Sequence, residues 1–233
     1  MAVFDFDCTV ILEMQRVSGN HPLTDLIRKM RLVAILRLDD LTYAIPLVEA
    51  LLRGGVRALE FTLTNPDAPK VVATLVQEFA EFSNGTAAVG IGSVRTVDEA
   101  KMSIDSGAQF LVSPITNCEI IDQANANRIP IFPGAFSPTE IATAWEMGAE
   151  IVKVFPSRGL GPEYIRDVLA PMPYLQLMPT GGVSLANMSD YFDAGAVAVG
   201  VGGKFTSADA IRNQRWDEIT RSALAFTNAA AIA

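Results

Sequence analysis

Histidine is almost missing from this sequence, which contains His21 alone, and cysteine is nearly as scarce, with Cys8 and Cys118. A single histidine excludes a multi-histidine metal centre and argues against a histidine-paired nucleophile. Two cysteines make neither a disulfide framework nor a metal site, and they fit a reducing compartment, so a cytoplasmic location is expected. No apolar run reaches the roughly 18 residues of a membrane span. The opening Met-Ala-Val-Phe-Asp-Phe-Asp has no basic stretch ahead of its apolar residues, unlike a secretory signal. Positive charge is also short: 18 Lys and Arg face 26 Asp and Glu, a formal net charge of −8. That balance argues against nucleic acid or an anionic membrane surface as a partner. Acid/base chemistry then falls to carboxylate, lysine, tyrosine or cysteine.

What is present is an apolar chain of 233 residues, 50% hydrophobic, long enough to bury a sizeable core. Residues 1–20 have mixed polarity and no period, and are expected to form a short appendage; residues 21–233 are expected to form one domain. Within the appendage, Asp5-Phe6-Asp7-Cys8-Thr9 matches the Asp-x-Asp-x-Thr loop of haloacid-dehalogenase-like phosphatases. The Rossmann-like domain that such a loop requires does not follow, so the match is read as chance.

From Leu32 onward, short apolar runs alternate with segments of helical period. Leu32 to Leu36 is continuously apolar, as in a strand buried on both faces. Leu41, Ala44, Ile45, Val48, Leu51 and Leu52 then form a helical stripe, closed by Gly54-Gly55. About eight such units follow one another, with strands expected near 32–37, 57–63, 86–91, 109–113, 129–133, 150–154, 175–179 and 196–201. Gly55-Val56, Gly107-Ala108, Gly148-Ala149 and Gly195-Ala196 each end a helix and open an apolar run, roughly two units apart. Four double units point to an α/β fold, a single (β/α)8 TIM barrel, with a doubly wound open sheet as the alternative.

The repeat also places chemistry. Five residues beyond each repeat glycine stand Glu60, Val112, Lys153 and Gly200. In a barrel, alternate strands contribute one inward side chain each to a layer, so Glu60 and Lys153 are expected to share one near the strand ends that carry active sites. An ionisable group inside a buried strand is costly unless it is paired or functional. A structural ion pair remains one reading. The other is catalytic: a lysine in low dielectric is held neutral and nucleophilic, and a carboxylate beside it can move protons.

Pro179-Thr180-Gly181-Gly182 and Gly200-Val201-Gly202-Gly203 follow the last two expected strands, where barrels of this type bind phosphate. Glycines there let backbone N–H groups approach an anion, with a helix N-terminus expected behind each loop. Gly90-Ile91-Gly92 fails as a dinucleotide fingerprint because Arg95 stands where the third glycine belongs, and Gly203-Lys204 fails as a P-loop because Phe205 follows.

Together, Glu60-Phe61-Thr62-Leu63, Lys153-Val154-Phe155-Pro156 and Pro179-Thr180-Gly181-Gly182 resemble the class I aldolases of the 2-keto-3-deoxy-6-phosphogluconate/4-hydroxy-2-oxoglutarate type, from about Leu32 to Phe205. The resemblance implies Lys153 as the Schiff-base lysine and Glu60 as general acid/base. It implies Arg37, Ser93, Ser113, Pro114, Phe155 and Thr180 around a bound keto acid, and Gly181, Gly182, Gly202 and Gly203 around a phosphate. It further implies a homotrimer acting on a small-molecule keto acid, with no metal and no organic cofactor. Two positions depart from the family: Thr64 stands where some members have arginine, and Gly203 where many have serine, which leaves phosphate preference open. A barrel phosphosugar isomerase or epimerase and a non-catalytic keto-acid or phosphate-binding protein are the competing readings. Trp145 and Trp216 are expected to pack, and Cys118 to be a small packed residue near the pocket.

Overall fold

The computed structural model describes residues 21–203 and 206–232. The expected appendage and the Asp5–Thr9 pattern lie outside the described residues. Nine strands run in chain order: β1 Leu32–Leu36, β2 Ala58–Thr62, β3 Ala88–Gly92, β4 Leu111–Val112, β5 Ile131–Phe132, β6 Gly134–Ala135, β7 Val152–Val154, β8 Leu177–Pro179 and β9 Val199–Gly202. Helices intervene between successive strands, except between β5 and β6, and all strand pairings are parallel.

Six strands lie in the order β5-β4-β3-β2-β1-β9, and three more in the order β6-β7-β8. β5 and β6 flank Pro133 on one short stretch, so that stretch borders both sheets; the Pro133 carbonyl accepts from the Lys153 N–H at 2.9 Å. On the other side, Thr180 and Gly200 form a parallel bridge between the ends of β8 and β9. The result is a curled parallel sheet with its first strand against its last, an adjacency that the open 3-2-1-4-5-6 order lacks.

Several expected strands are shorter than their apolar runs. The 109–113 run keeps only Leu111–Val112, and the 129–133 run ends as a strand at Phe132. Proline has no N–H to give the ladder, which is why the pairing breaks at Pro133. The glycine repeat is realised in the backbone: Gly55, Gly107, Gly148 and Gly195 follow helices with φ of +87°, +87°, +98° and +100°. A left-handed residue there turns the chain off the helix without a Cβ penalty.

Strand alternation divides the core in two. Outward residues such as Ala34, Leu59, Phe61, Val89 and Ile91 pack under the helices. Inward residues Val33, Ala58, Ala88, Phe110, Phe132, Ile151, Met178 and Ala198 form a second apolar cluster. Helix Pro22–Met30 closes the lower end of this cluster with Ile27, burial worth roughly 1.5–3 kcal/mol. His21 caps that helix: its Nδ1 accepts from the Leu23 N–H at 3.2 Å. Its own N–H donates to the Glu150 carboxylate at 3.0 Å. The histidine is therefore held in structural bonds at the end of the strands away from Lys153.

Two further expectations are corrected. Cys118 is not packed; it is exposed at the first turn of helix Cys118–Ala126, capped by Asn117. The glycine loops after β8 and β9 do not run straight into helices. The next helices are Met188–Asp193 and Ala208–Arg212, both short and several residues further on. Trp145 and Trp216 pack against the core as expected. No described helix is long and apolar enough to cross a membrane.

Candidate active site

One strand step above the inner apolar cluster, the side chains change character. Ala58 belongs to that cluster, so the period of two puts Glu60 and Thr62 on the same inward line of β2. Ile151, just before β7, does the same for Lys153 within it and Phe155 just after it. Glu60 is 1% exposed and Lys153 6%. The topology has brought both ions of the sequence argument into the interior.

Neighbouring glycines make the room. A Cβ at Gly92 would stand 1.8 Å from Glu60 Oε1, so the glutamate lies flat across β3. A Cβ at Gly200 would stand 2.3 Å from Thr180 Oγ1, so Thr180 occupies the matching space over β9. Gly134 takes the backbone of Pro114, whose carbonyl oxygen would be 2.5 Å from a Cβ there. The loop after β4 is thereby laid over β6, beside the lysine strand.

Glu60 and Lys153 form no ion pair within 4.0 Å, yet each feels the other's charge. Burial pushes the Glu60 carboxyl up, opposed by the positive charges of Lys153 and Arg37. Burial pulls the Lys153 ammonium down, with Glu60 opposing and Arg37 assisting. Both groups are thus driven toward their neutral forms, an amine and a carboxylic acid. Glu60 Oε2 is buried without a hydrogen-bond partner, a rare condition for a buried polar atom outside a functional site. Lys153 Nζ lies 4.9 Å from the centroid of the Phe155 ring.

Arg37 follows the end of β1 and is exposed, reaching the pair through its field. Ser93 follows β3 with φ of +63°, a left-handed backbone that a non-glycine residue seldom adopts. Its predecessor is the glycine beneath Glu60. Ser113 is buried and accepts the Ile115 N–H at 3.2 Å, turning the chain at Pro114. Gly181 and Gly182 have φ of +94° and +90° and pack on the segment after β7: a Cβ on Gly181 would be 3.7 Å from the Phe155 ring, and one on Gly182 3.0 Å from Arg158 Cβ. Gly202 sits against Ile35, whereas at Gly203, with φ of +65°, a Cβ would meet no atom of the described residues within 4 Å.

Two polar residues of this region escape the sequence reading. Ser157 is fully buried; its hydroxyl donates to the Val154 carbonyl at 2.6 Å and accepts from the Thr180 N–H at 2.9 Å. It ties the end of the lysine strand to Thr180. Thr62 is buried two residues beyond Glu60, its hydroxyl 2.7 Å from that of Thr64. The period of two from Glu60 is the signal that could have found Thr62, whereas nothing in the residues around Ser157 announces its bonds.

Two surface clefts, of about 530 and 440 Å3, lie elsewhere. One is lined by Arg53, Arg57, Phe79 and Trp216, the other by Asp39, Asp40, Asn65 and Lys70. Neither includes Glu60 or Lys153. Among the described residues no cluster of His, Cys, Asp and Glu could hold a metal ion.

Known proteins resemble this chain over most of its length. The family model "KDPG and KHG aldolase" matches residues 23–222. A 2-dehydro-3-deoxy-phosphogluconate aldolase of Treponema pallidum is 35% identical over 166 residues, covering 71% of this chain and 77% of the relative. A 2-dehydro-3-deoxy-6-phosphogalactonate aldolase of Escherichia coli is 30% identical over 202 residues, covering 86% and 95%. Among solved structures, the Legionella pneumophila KDPG aldolase with pyruvate captured as a covalent carbinolamine superposes with a TM-score of 0.79 at 27% identity, covering 88% of this chain and 98% of that one. The chain belongs to the KDPG and KHG aldolase family and is a carbon–carbon lyase.

Proposed function

We propose that this enzyme cleaves a 2-keto-4-hydroxy acid to pyruvate and an aldehyde through a Schiff base on Lys153. The observation that carries the reading is the buried Lys153 amine, held toward neutrality and electrostatically coupled to a buried Glu60 on a facing strand line. Pyruvate captured covalently in the similar Legionella protein supports the same chemistry. The substrates in view are 2-keto-3-deoxy-6-phosphogluconate, its galactonate epimer and 4-hydroxy-2-oxoglutarate, whose aldehyde products are glyceraldehyde 3-phosphate or glyoxylate.

In this mechanism neutral Lys153 Nζ attacks C2 of the keto acid, and the carbinolamine hydroxyl leaves as water with the proton of the neutral Glu60 carboxyl, giving a protonated imine as electron sink and a carboxylate at Glu60. Glu60 takes the proton of the C4 hydroxyl as the C3–C4 bond breaks, its electron pair passing into the imine to give an enamine. After the aldehyde departs, Glu60 returns the proton to C3, and water hydrolyses the imine to release pyruvate and the free amine. The partnerless Glu60 Oε2 suits a group that alternately accepts and gives a proton. Arg37 and Thr180 hold the C1 carboxylate, while Ser93, Ser113, Pro114 and Phe155 line the pyruvyl group. Gly181, Gly182, Gly202 and Gly203 receive the far end of the substrate. No step draws on a metal or an organic cofactor.

The same reading takes β5 and β6 as one strand interrupted at Pro133, giving a complete eight-fold ring in a single domain over residues 21–233. Family resemblance supports a homotrimer in the cytoplasm. A turnover panel tests the function: pyruvate release from the three substrates named above, with lactate dehydrogenase reporting it. Release from at least one is expected, and release from none contradicts the proposal.

A further inference from the structure

The two ends of such a substrate are both anionic: a carboxylate at C1, and a phosphate or second carboxylate at the far end. Resting on the aldolase reading above, we infer that Arg158 determines specificity by supplying the counter-charge for that far anion.

Four observations converge on Arg158. It lies in the short turn Ser157–Gly159 that follows the lysine strand, five residues past Lys153. Its side-chain stem is in contact with the second glycine of the loop after β8: a Cβ on Gly182 would lie 3.0, 3.1 and 3.2 Å from Arg158 Cβ, Cα and Cγ. The turn is fixed rather than loose, because Ser157 is bonded to both Val154 and Thr180. Finally, Arg158 is exposed and its side chain has no ion pair or hydrogen bond among the described residues. By contrast, Arg28, Arg53, Arg95, Arg166 and Arg215 are all held by carboxylates.

The described part of the loop after β9 offers an anion only its backbone. Gly202 and Gly203 carry no hydroxyl, and no atom of the described residues would lie within 4 Å of a Cβ on Gly203. The short helices beyond the two loops begin only at Met188 and Ala208. Backbone N–H groups at Gly182 and Gly203 can orient an anion but supply no net charge. A guanidinium anchored against the same glycine supplies it, in a form suited to phosphate or carboxylate. Arg37 at the end of β1 then serves the keto-acid end and Arg158 the far end, a division that follows the substrate's two charges.

The test compares wild type, Arg158→Gln and Arg158→Lys. Its first measure is the ratio of kcat/KM for 2-keto-3-deoxy-6-phosphogluconate to that for unphosphorylated 2-keto-3-deoxygluconate. Arg158→Gln is expected to lower this ratio about ten- to a hundredfold, the range of a lost charge-assisted hydrogen bond, and Arg158→Lys to restore most of it. Running 4-hydroxy-2-oxoglutarate in parallel tells whether phosphate or carboxylate is the anion served. A ratio unchanged for both anionic substrates overturns the inference. Calorimetric binding of glycerol 3-phosphate needs no turnover: affinity at least tenfold weaker in Arg158→Gln supports the inference, and equal affinity together with an unmoved 4-hydroxy-2-oxoglutarate rate overturns it. If Arg158→Gln loses this binding while Lys153 of the wild type takes up no pyruvate, the anion site stands and the Schiff-base reading falls. If Lys153 takes up pyruvate and both the ratio and the binding are unmoved, only the assignment of Arg158 falls.

Discussion

The interior of the curled sheet has two halves built from the same strands. In the lower half, Ala58, Ile151, Phe110 and Phe132 fill the space with apolar atoms, and Ile27 seals it. Two residues further along β2 and β7, the inward positions hold Glu60 and Lys153, and the residues just after β8 and β4 are the buried Thr180 and Ser113. Burial is equally complete in both halves, but its consequence differs. Below, removal from water stabilises; above, it moves two ionisable groups off their ordinary protonation states. If the proposed mechanism holds, the fold's stability and its chemistry are separable by one strand step, which substitutions can test.

The largest effect expected is on rate, in the upper half. Glu60→Gln keeps shape and burial but cannot exchange a proton, and turnover should fall by ~10²–10⁴-fold. Because Lys153 is itself held toward neutrality, the change strands little charge, and thermal unfolding should move little. The sign of the pH dependence sharpens this. Burial lifts Glu60 above its ordinary 4.5, so its contribution to stability is fully present below 4.5 and is lost as pH rises through the folded value. Melting curves of Glu60→Gln should lack that loss. A variant that unfolded while keeping its rate would invert the comparison.

Phe110→Ala is the reciprocal experiment. Phe110 is fully buried and its ring centroid lies 5.7 Å from that of Phe132. Truncation should destabilise by about 3–5 kcal/mol in chemical denaturation while the folded fraction retains its turnover. Loss of activity without loss of stability would show that the lower half takes part in the chemistry.

The smallest effect concerns Arg37. Its charge helps hold Lys153 down and also lowers Glu60. Arg37→Gln should therefore shift the acid limb of imine formation to higher pH. Because Arg37 is exposed, the difference from wild type should shrink as salt is raised. A limb that moves to lower pH, or a shift insensitive to salt, would remove Arg37 from this role.

Much of this could be anticipated from residues alone, for physical reasons. Leu32–Leu36 is legible because both of its faces are buried and no polar residue interrupts it. The four repeat glycines are legible because each satisfies one local requirement, a left-handed residue after a helix. Their spacing carried Glu60 and Lys153 into one neighbourhood. The short strands were less legible, since apolar runs such as 109–113 also serve loops and turns that pack inward. At His21 the signal is local as well: the proline directly after it is the N-terminal signature of a helix. Ser157 illustrates the remainder, because its two bonds join β7 to β8 and depend on a tertiary neighbour, Thr180, that no local pattern names. Cys118 shows the opposite error, for its nearness to a strand end suggested packing where the first turn of a helix faces water.

The central claim is that Lys153 is a buried, nucleophilic amine. Incubation with pyruvate and sodium borohydride, followed by peptide mass spectrometry, tests it directly. A reduced pyruvyl group on the peptide bearing Lys153, absent when Lys153→Met is treated alike, is the predicted result. A wild-type protein left unmodified under conditions that label a known Schiff-base aldolase would contradict it.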